Sequence, residues 1–303
     1  MKGIIGDLVD VETALSHKNL FHGLGAPNLA VESAPGRVCV DFRSNYLLNS
    51  GLGAQNDNTD YVLLVGTNPR FEASLFNVRL RQMSYLDQNS RTTVASVGCA
   101  SDLRYPIDHL GSGVQSLLAL ATGKHRALNK FFQAQNPLFI LGSSLHQRTD
   151  CAGLRDLLNS ILSLRVKVQR AMQRCSSNWR PHSIAKKHHT KRSVQEARNL
   201  DVLHAHAATV GAFDVAYNCN KMVRVADPES FYLLGADNVD VGSKTDPFII
   251  YQGHHGQRGA QQAHVILPST TFVEKAATYV NTEGRVQKTR PATTAPISNE
   301  RDD

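Results

Sequence analysis

Six short apolar runs, each closed by a turn-forming residue, constrain this chain more than any other feature. Tyr61–Val65 leads into Gly66-Thr67-Asn68-Pro69, Thr93–Val97 into Gly98, and Leu138–Leu141 into Gly142-Ser143-Ser144. Phe231–Leu234 precedes Gly235-Ala236-Asp237, Phe248–Tyr251 precedes Gln252-Gly253, and Val265–Leu267 precedes Pro268. Short, largely apolar runs of this kind, with β-branched residues, predict strands buried on both faces of a parallel sheet. Helical patterns separate several of them. Val114–Thr122 is one, and Arg155–Leu164 is a second, with Leu154, Leu157, Leu158 and Ile161 on one face and Asp150 as its N-cap. Asn199–Phe213 reads as a third. Strand, glycine loop, helix, strand is the grammar of a doubly wound α/β fold with mostly parallel sheets.

Charge divides the chain. The net charge is +7, yet residues 165–198 hold ten Lys or Arg against the single acid Glu196, so the remainder is close to neutral. The basic segment breaks the chain at 176–198 and leaves two Rossmann-like lobes, 61–175 and 199–286. A segment 1–60 precedes them, and a tail 287–303 without apolar period reads as an extended or disordered arm. Within the insert, Arg180–Arg192 carries little aromatic interleaving, since only Trp179 is near, so a solvated loop or a contact to an acidic neighbour is favoured over nucleic acid.

No chemistry is declared. The loops 63–70, 140–144 and 233–237 sit where such sheets bind ligands, but none is GxGxxG or GxxxxGK[ST]. Cys39, Cys99, Cys151, Cys175 and Cys219 form no CxxC pair and read as free thiols in a reducing compartment. Adjacent His254 and His255 should diverge in an extended loop, with His264 further on. His204 and His206, two apart on the expected helix, should occupy different faces. Neither group has metal-ligand spacing. The catalytic, cofactor and metal residue sets are therefore all expected to be none. No apolar run reaches the roughly 20 residues of a membrane-spanning helix, and the first 20 residues resemble neither a secretory signal nor an Arg-rich transit peptide.

A family resemblance adds what these patterns cannot. Arg43–Asn49 (RSNYLLN), Val62–Ala73 (VLLVGTNPRFEA), Ile249–Gly256 (IIYQGHHG) and Ala277–Arg285 (ATYVNTEGR), together with Asp108–Gly111, Leu141–Ser144 and Leu233–Asp237, occur in the order of one family. The chain thus resembles the molybdopterin-oxidoreductase-like C-terminal part of the largest iron–sulfur subunit of mitochondrial-type NADH:quinone oxidoreductase (complex I). The resemblance runs from about Gly6 to about Pro296. It implies an incomplete fold of that type, lacking the closing β-barrel domain of active molybdenum enzymes, since 18 residues follow Arg285. It implies one half of a split subunit with no independent activity. A separate chain would carry the iron–sulfur clusters, FMN would sit on another neighbour, and Met1–Leu52 would pack on the cluster-bearing chain. The Tyr61–Val65 strand would then lie in a sheet that both chains cover. The implied location is the matrix side of the mitochondrial inner membrane. His264 stands where the family tends to carry an acid, and residues 179–200 are longer and more basic than its pattern. Two rival readings are a formate-dehydrogenase-type molybdenum or tungsten oxidoreductase subunit and a basic nucleic-acid-binding module.

Overall fold

The computed structural model describes residues 1–26, 28–32, 40, 42–50, 59–86, 92–125, 127–148, 150–177, 200–217, 228–241 and 246–294, without the side chains of 86, 128, 129, 146, 147 and 165–177. The chain divides into two compact units, Met1–Leu47 with His204–Asp303, and Leu48–Leu203.

The continuous unit, Leu48–Leu203, is built on a five-stranded parallel sheet. Its strands are β3 (Tyr61–Val65), β4 (Thr93–Val97), β5 (Asp108–Gly111), β6 (Pro137–Leu141) and β7 (Leu200–Val202), in the order β5-β4-β3-β6-β7. All five residues of β3 are buried because it is central. Its alternate side chains feed two cores. Tyr61, Leu63 and Val65 meet Leu117 and Leu120 of α4 (Val114–Ala121), Phe131 of α5 (Leu128–Gln133), and Leu154, Leu158 and Ile161 of α6 (Cys151–Ser177). Val62 and Leu64 meet Phe76 and Leu80 of α3 (Ser74–Arg81), which follows the short α2 (Pro69–Glu72). Helices thus cover both faces, as the doubly wound reading requires.

The composite unit has a second five-stranded parallel sheet, from β1 (Lys2–Ile5), β2 (Leu29–Val31), β8 (Ser230–Leu234), β9 (Phe248–Gly253) and β10 (Val265–Pro268). The order is β10-β9-β8-β1-β2. Ile5 and Leu234 pack with Phe21 of α1 (Val11–Gly23) and with Val210 and Phe213 of α7 (Ala208–Asp214). On the other face Ile4, Leu233 and Tyr251 pack with Ala260 of α8 (Arg258–Gln261). A hairpin of β11 (Thr278–Val280) and β12 (Val286–Lys288) completes the unit.

All six expected strands are present, and the two mostly parallel sheets form no closed barrel among the described residues. Three expectations need correction. Residues 1–60 are not a separate segment, because β1 pairs β2 on one side and β8 on the other inside the composite unit. Asn199–Phe213 is not one helix: Leu200–Val202 continues the sheet beside β6, and only Ala208–Asp214 is helical. Residues 287–294 are tied down, since Thr289 N–H donates to the Ala277 carbonyl and Ala292 N–H to that of Val273, each at 2.8 Å. Residues 178–199, which hold most of the basic insert, and 295–303 lie outside the described residues.

Candidate functional site

Both sheets reverse their winding once, and each reversal places two glycine loops at the carboxyl ends of adjacent strands. Open α/β sheets bind ligands at such points. The two points differ in what fills them.

In the continuous unit the reversal lies between β3 and β6, bringing loop 63–70 against loop 140–144. A Cβ on Gly142 would lie 2.2 Å from the Gly66 carbonyl oxygen, so the backbones touch only because glycine is there. Ser144 Oγ donates to that same carbonyl at 2.8 Å. The Glu72 carboxylate then takes the amides that point into the crevice. Its Oε1 accepts from Asn68 N–H at 3.0 Å, and its Oε2 from Ser143 N–H at 2.9 Å and Ser143 Oγ at 3.1 Å. A built-in carboxylate occupies the donors that a phosphate would need.

In the composite unit the reversal lies between β1 and β8 and opens into a cavity of about 260 Å³. Gly6 and Gly235 cross here: a Cβ on Gly6 would lie 1.6 Å from the Gly235 oxygen. Gly6 N–H donates to Leu234 O at 2.9 Å, and Gly235, at φ +58°, donates to Gln252 O at 2.7 Å. Each strand delivers its next residues to the rim: Asp7 after β1, Glu32 after β2, Asp237 and Asn238 after β8, His254 and His255 after β9, and Ser269 after β10.

The rim is predominantly acidic. Asp7 Oδ2 lies 2.8 Å from His206 Nδ1, and this contact raises the imidazole above its ordinary value. Glu32 is pushed up to about 7, chiefly by burial, with the Asp7 and Asp237 charges acting in the same direction. The Asn238 N–H, donating to Glu32 Oε1 at 2.7 Å, opposes that rise. The Tyr251 hydroxyl donates to Asp237. Beside the cavity, Asp10 caps α1 by accepting from Thr13 N–H at 2.8 Å and pairs with Lys275 Nζ at 2.7 Å. Burial alone would raise Asp10, but Lys275 and Thr13 outweigh it and hold the carboxyl below the usual range.

His254 and His255 do not diverge, because β9 ends at Gly253 and the chain bends; their rings meet edge to face at 4.5 Å. Burial lowers His254, and the neighbouring His255 adds to this. His264 accepts from Ile249 N–H at 3.2 Å and stacks on Phe248. His204 and His206 stand in a loop, not on a helix. His204 is buried with Nε2 2.6 Å from Tyr46 O and is lowered to about 4, chiefly by burial. Among the described residues no group of three or more His, Cys, Asp or Glu is placed to hold a metal ion. Cys99 is exposed and Cys151 buried, both as free thiols; Cys39 and Cys219, and the side chain of Cys175, lie outside the described residues.

Reading the sequence alone placed the 233–237 loop at this site but missed Asp7 and Glu32, because β1 and β2 were not recognised as strands. The available signal was Gly6 followed by Asp10, an N-cap three residues before Thr13.

The geometry defines an open, doubly wound α/β protein with two sheets, each with its reversal point walled by carboxylates. The chain belongs to the molybdopterin oxidoreductase family, whose description matches residues 1–303. It is 35% identical to the NADH-ubiquinone oxidoreductase 75 kDa subunit of Reclinomonas americana, over 99% of this chain and 42% of that protein. It is 36% identical to the mitochondrial NADH-ubiquinone oxidoreductase 78 kDa subunit of Candida albicans, over 98% of this chain and 37% of that protein. The chain therefore spans about two fifths of the length of these relatives. Among solved structures, the formyltransferase/hydrolase complex (FhcABCD) of Methylorubrum extorquens in complex with methylofuran contains a chain that superposes with TM-score 0.54 at 10% identity, covering 98% of this chain and 89% of that one; this is a likeness of fold alone.

The family name implies a phosphate-bearing pterin. The described residues fit it poorly: Glu72 takes the amides at one reversal point, and at the other three carboxylates, Asp7, Glu32 and Asp237, stand against the single ammonium of Lys275.

Proposed function

We propose that this chain is a structural, non-catalytic part of the peripheral NADH-dehydrogenase arm of respiratory complex I. In this reading it braces a separate chain that carries the iron–sulfur clusters, holds no cofactor itself, and lies on the matrix side of the mitochondrial inner membrane. FMN and the clusters belong to neighbouring subunits. The observation that carries the reading is the 35–36% identity, over 98–99% of the chain, to proteins named as NADH-ubiquinone oxidoreductase subunits. The carboxylates at both reversal points support the non-catalytic part, because they satisfy or repel what a pterin phosphate would need.

The test is a native gel of mitochondria extracted with mild detergent, stained in the gel for NADH dehydrogenase activity and probed for this chain. Co-migration with the active band is expected, and elemental analysis of the chain alone should find no stoichiometric iron or molybdenum. A chain confined to a low-mass band, or one that carries its own metal, would overturn the reading.

A further inference from the structure

The outer strand of the composite unit's sheet is unlike the other sheet edges. Among the described residues, β10 pairs with β9 on one side only. His264 N–H donates to Ile249 O at 2.8 Å, so by strand alternation Ile266 also faces β9, and Val265 and Leu267 turn their N–H and C=O outward. Every residue of the strand is exposed: Val265 39%, Ile266 58% and Leu267 39%, with Pro268 in the same class. Successive side chains take opposite faces, so apolar surface is open on both faces as well as at the edge.

Exposed Phe248, Phe272 and Val273 lie on the elements next to β10, and no Lys, Arg, Asp or Glu occurs between His264 and Val273. Free edges are normally blunted by charge, and monomers rarely leave such a patch open. The opposite edge, β2, buries Leu29 and Val31; in the continuous unit β7 is buried throughout, and β5 exposes Asp108 and His109.

We propose that β10 receives an extended, apolar segment of a neighbouring subunit as a sixth strand. That segment hydrogen-bonds the main chain of Val265 and Leu267 and packs its side chains on Ile266 and Phe272. The unpaired backbone specifies the occupant, since only another extended chain, about 4.8 Å away, satisfies alternate N–H and C=O groups. The assignment to a neighbouring subunit rests on the reading proposed above, and the relatives carry more than half of their length outside the matched part, which can supply such a strand.

The test places the photo-crosslinking residue p-benzoylphenylalanine at position 266 in the assembled complex and identifies the joined peptide by mass spectrometry. Alongside it, Val265→Pro removes one outward N–H without touching the β9 ladder, and Ile266→Lys charges an already exposed position. A cross-link to an apolar segment of a different protein is expected. So is at least an about tenfold loss of assembled chain in both variants, with the melting temperature of the purified chain unchanged. Cross-links only to lipid or to a second copy, no cross-link, or variants that assemble like the parent would overturn the proposal. A cross-link to a protein outside complex I would keep the sixth strand and overturn the assembly reading. Incorporation into complex I without a cross-link would do the reverse.

Discussion

Glu32 is held near pH 7 by burial and by two like charges, so it couples proton binding to folding. Its folded value of about 7 lies above the ordinary 4.5. Between those limits the folded state keeps a proton that the unfolded chain has lost, and its contribution to stability falls as pH rises through that window. Glu32→Gln removes the titration. Urea denaturation should therefore show the variant gaining on the parent between pH 4.5 and 7 and holding a constant margin above 7. A parallel pair of curves would show that Glu32 is ordinary. Gly6 makes a harder demand. Alanine there would drive a methyl into the Gly235 carbonyl, a backbone atom that cannot swing away, and should cost more than about 3 kcal/mol. Gly23→Ala is the control, because a Cβ there meets nothing within 4 Å; it should be neutral or stabilising by up to about 1 kcal/mol in the same denaturation series.

At the scale of elements, α1 starts where a buried Asp10 satisfies the Thr13 amide and also pairs with Lys275 from the segment before β11. Asp10→Ala should cost about 1–3 kcal/mol by chemical denaturation, since it removes a cap and strips Lys275 of its carboxylate. A loss below about 0.5 kcal/mol would mean that neither bond contributes. This helix also explains what could be read before the structure was known. The six strands that announce themselves are largely apolar runs with a glycine or proline at or near the end, so composition and punctuation agree. Lys2–Ile5, Leu29–Val31, Asp108–Gly111 and Leu200–Val202 are shorter, or carry polar residues, and their pairing comes from distant partners. Leu200–Val202 is the clearest case. Asp201 is fully buried there because the Ser50 backbone N–H and hydroxyl bind its carboxylate, a contact 151 residues away that no local pattern reveals. The acidic rim was hidden for the same reason, since Asp7 and Glu32 become neighbours only once β1 and β2 pair.

For the whole molecule, exposed apolar side chains bear on solubility. Phe71, Leu75, Val78 and Tyr85 are exposed along α2, α3 and the π-helical turn that follows, in addition to those around β10. The free chain should bind the fluorescent probe ANS, and the signal should fall when the chain is incorporated into its complex. No ANS binding by the free chain would mean that these side chains are covered without help from a partner.

The position of β1 also sets a timetable for synthesis. Its first partner, β2, follows within the same helix-linked unit, but the register Lys2↔Phe231 to Ile5↔Leu234 calls for residues made some 229 positions later. At an elongation rate of about 5–20 residues per second, the opening strand waits roughly 10–45 s for its second neighbour. The whole of Leu48–Leu203, whose own strands are all complete by then, leaves the ribosome in the interval. Nascent chains arrested far enough beyond residue 203 for Leu203 to have cleared the ribosome should therefore hold a protease-resistant Leu48–Leu203 body while Met1–Leu47 is still digestible, so a chaperone has its longest opportunity to act on β1 and its surroundings.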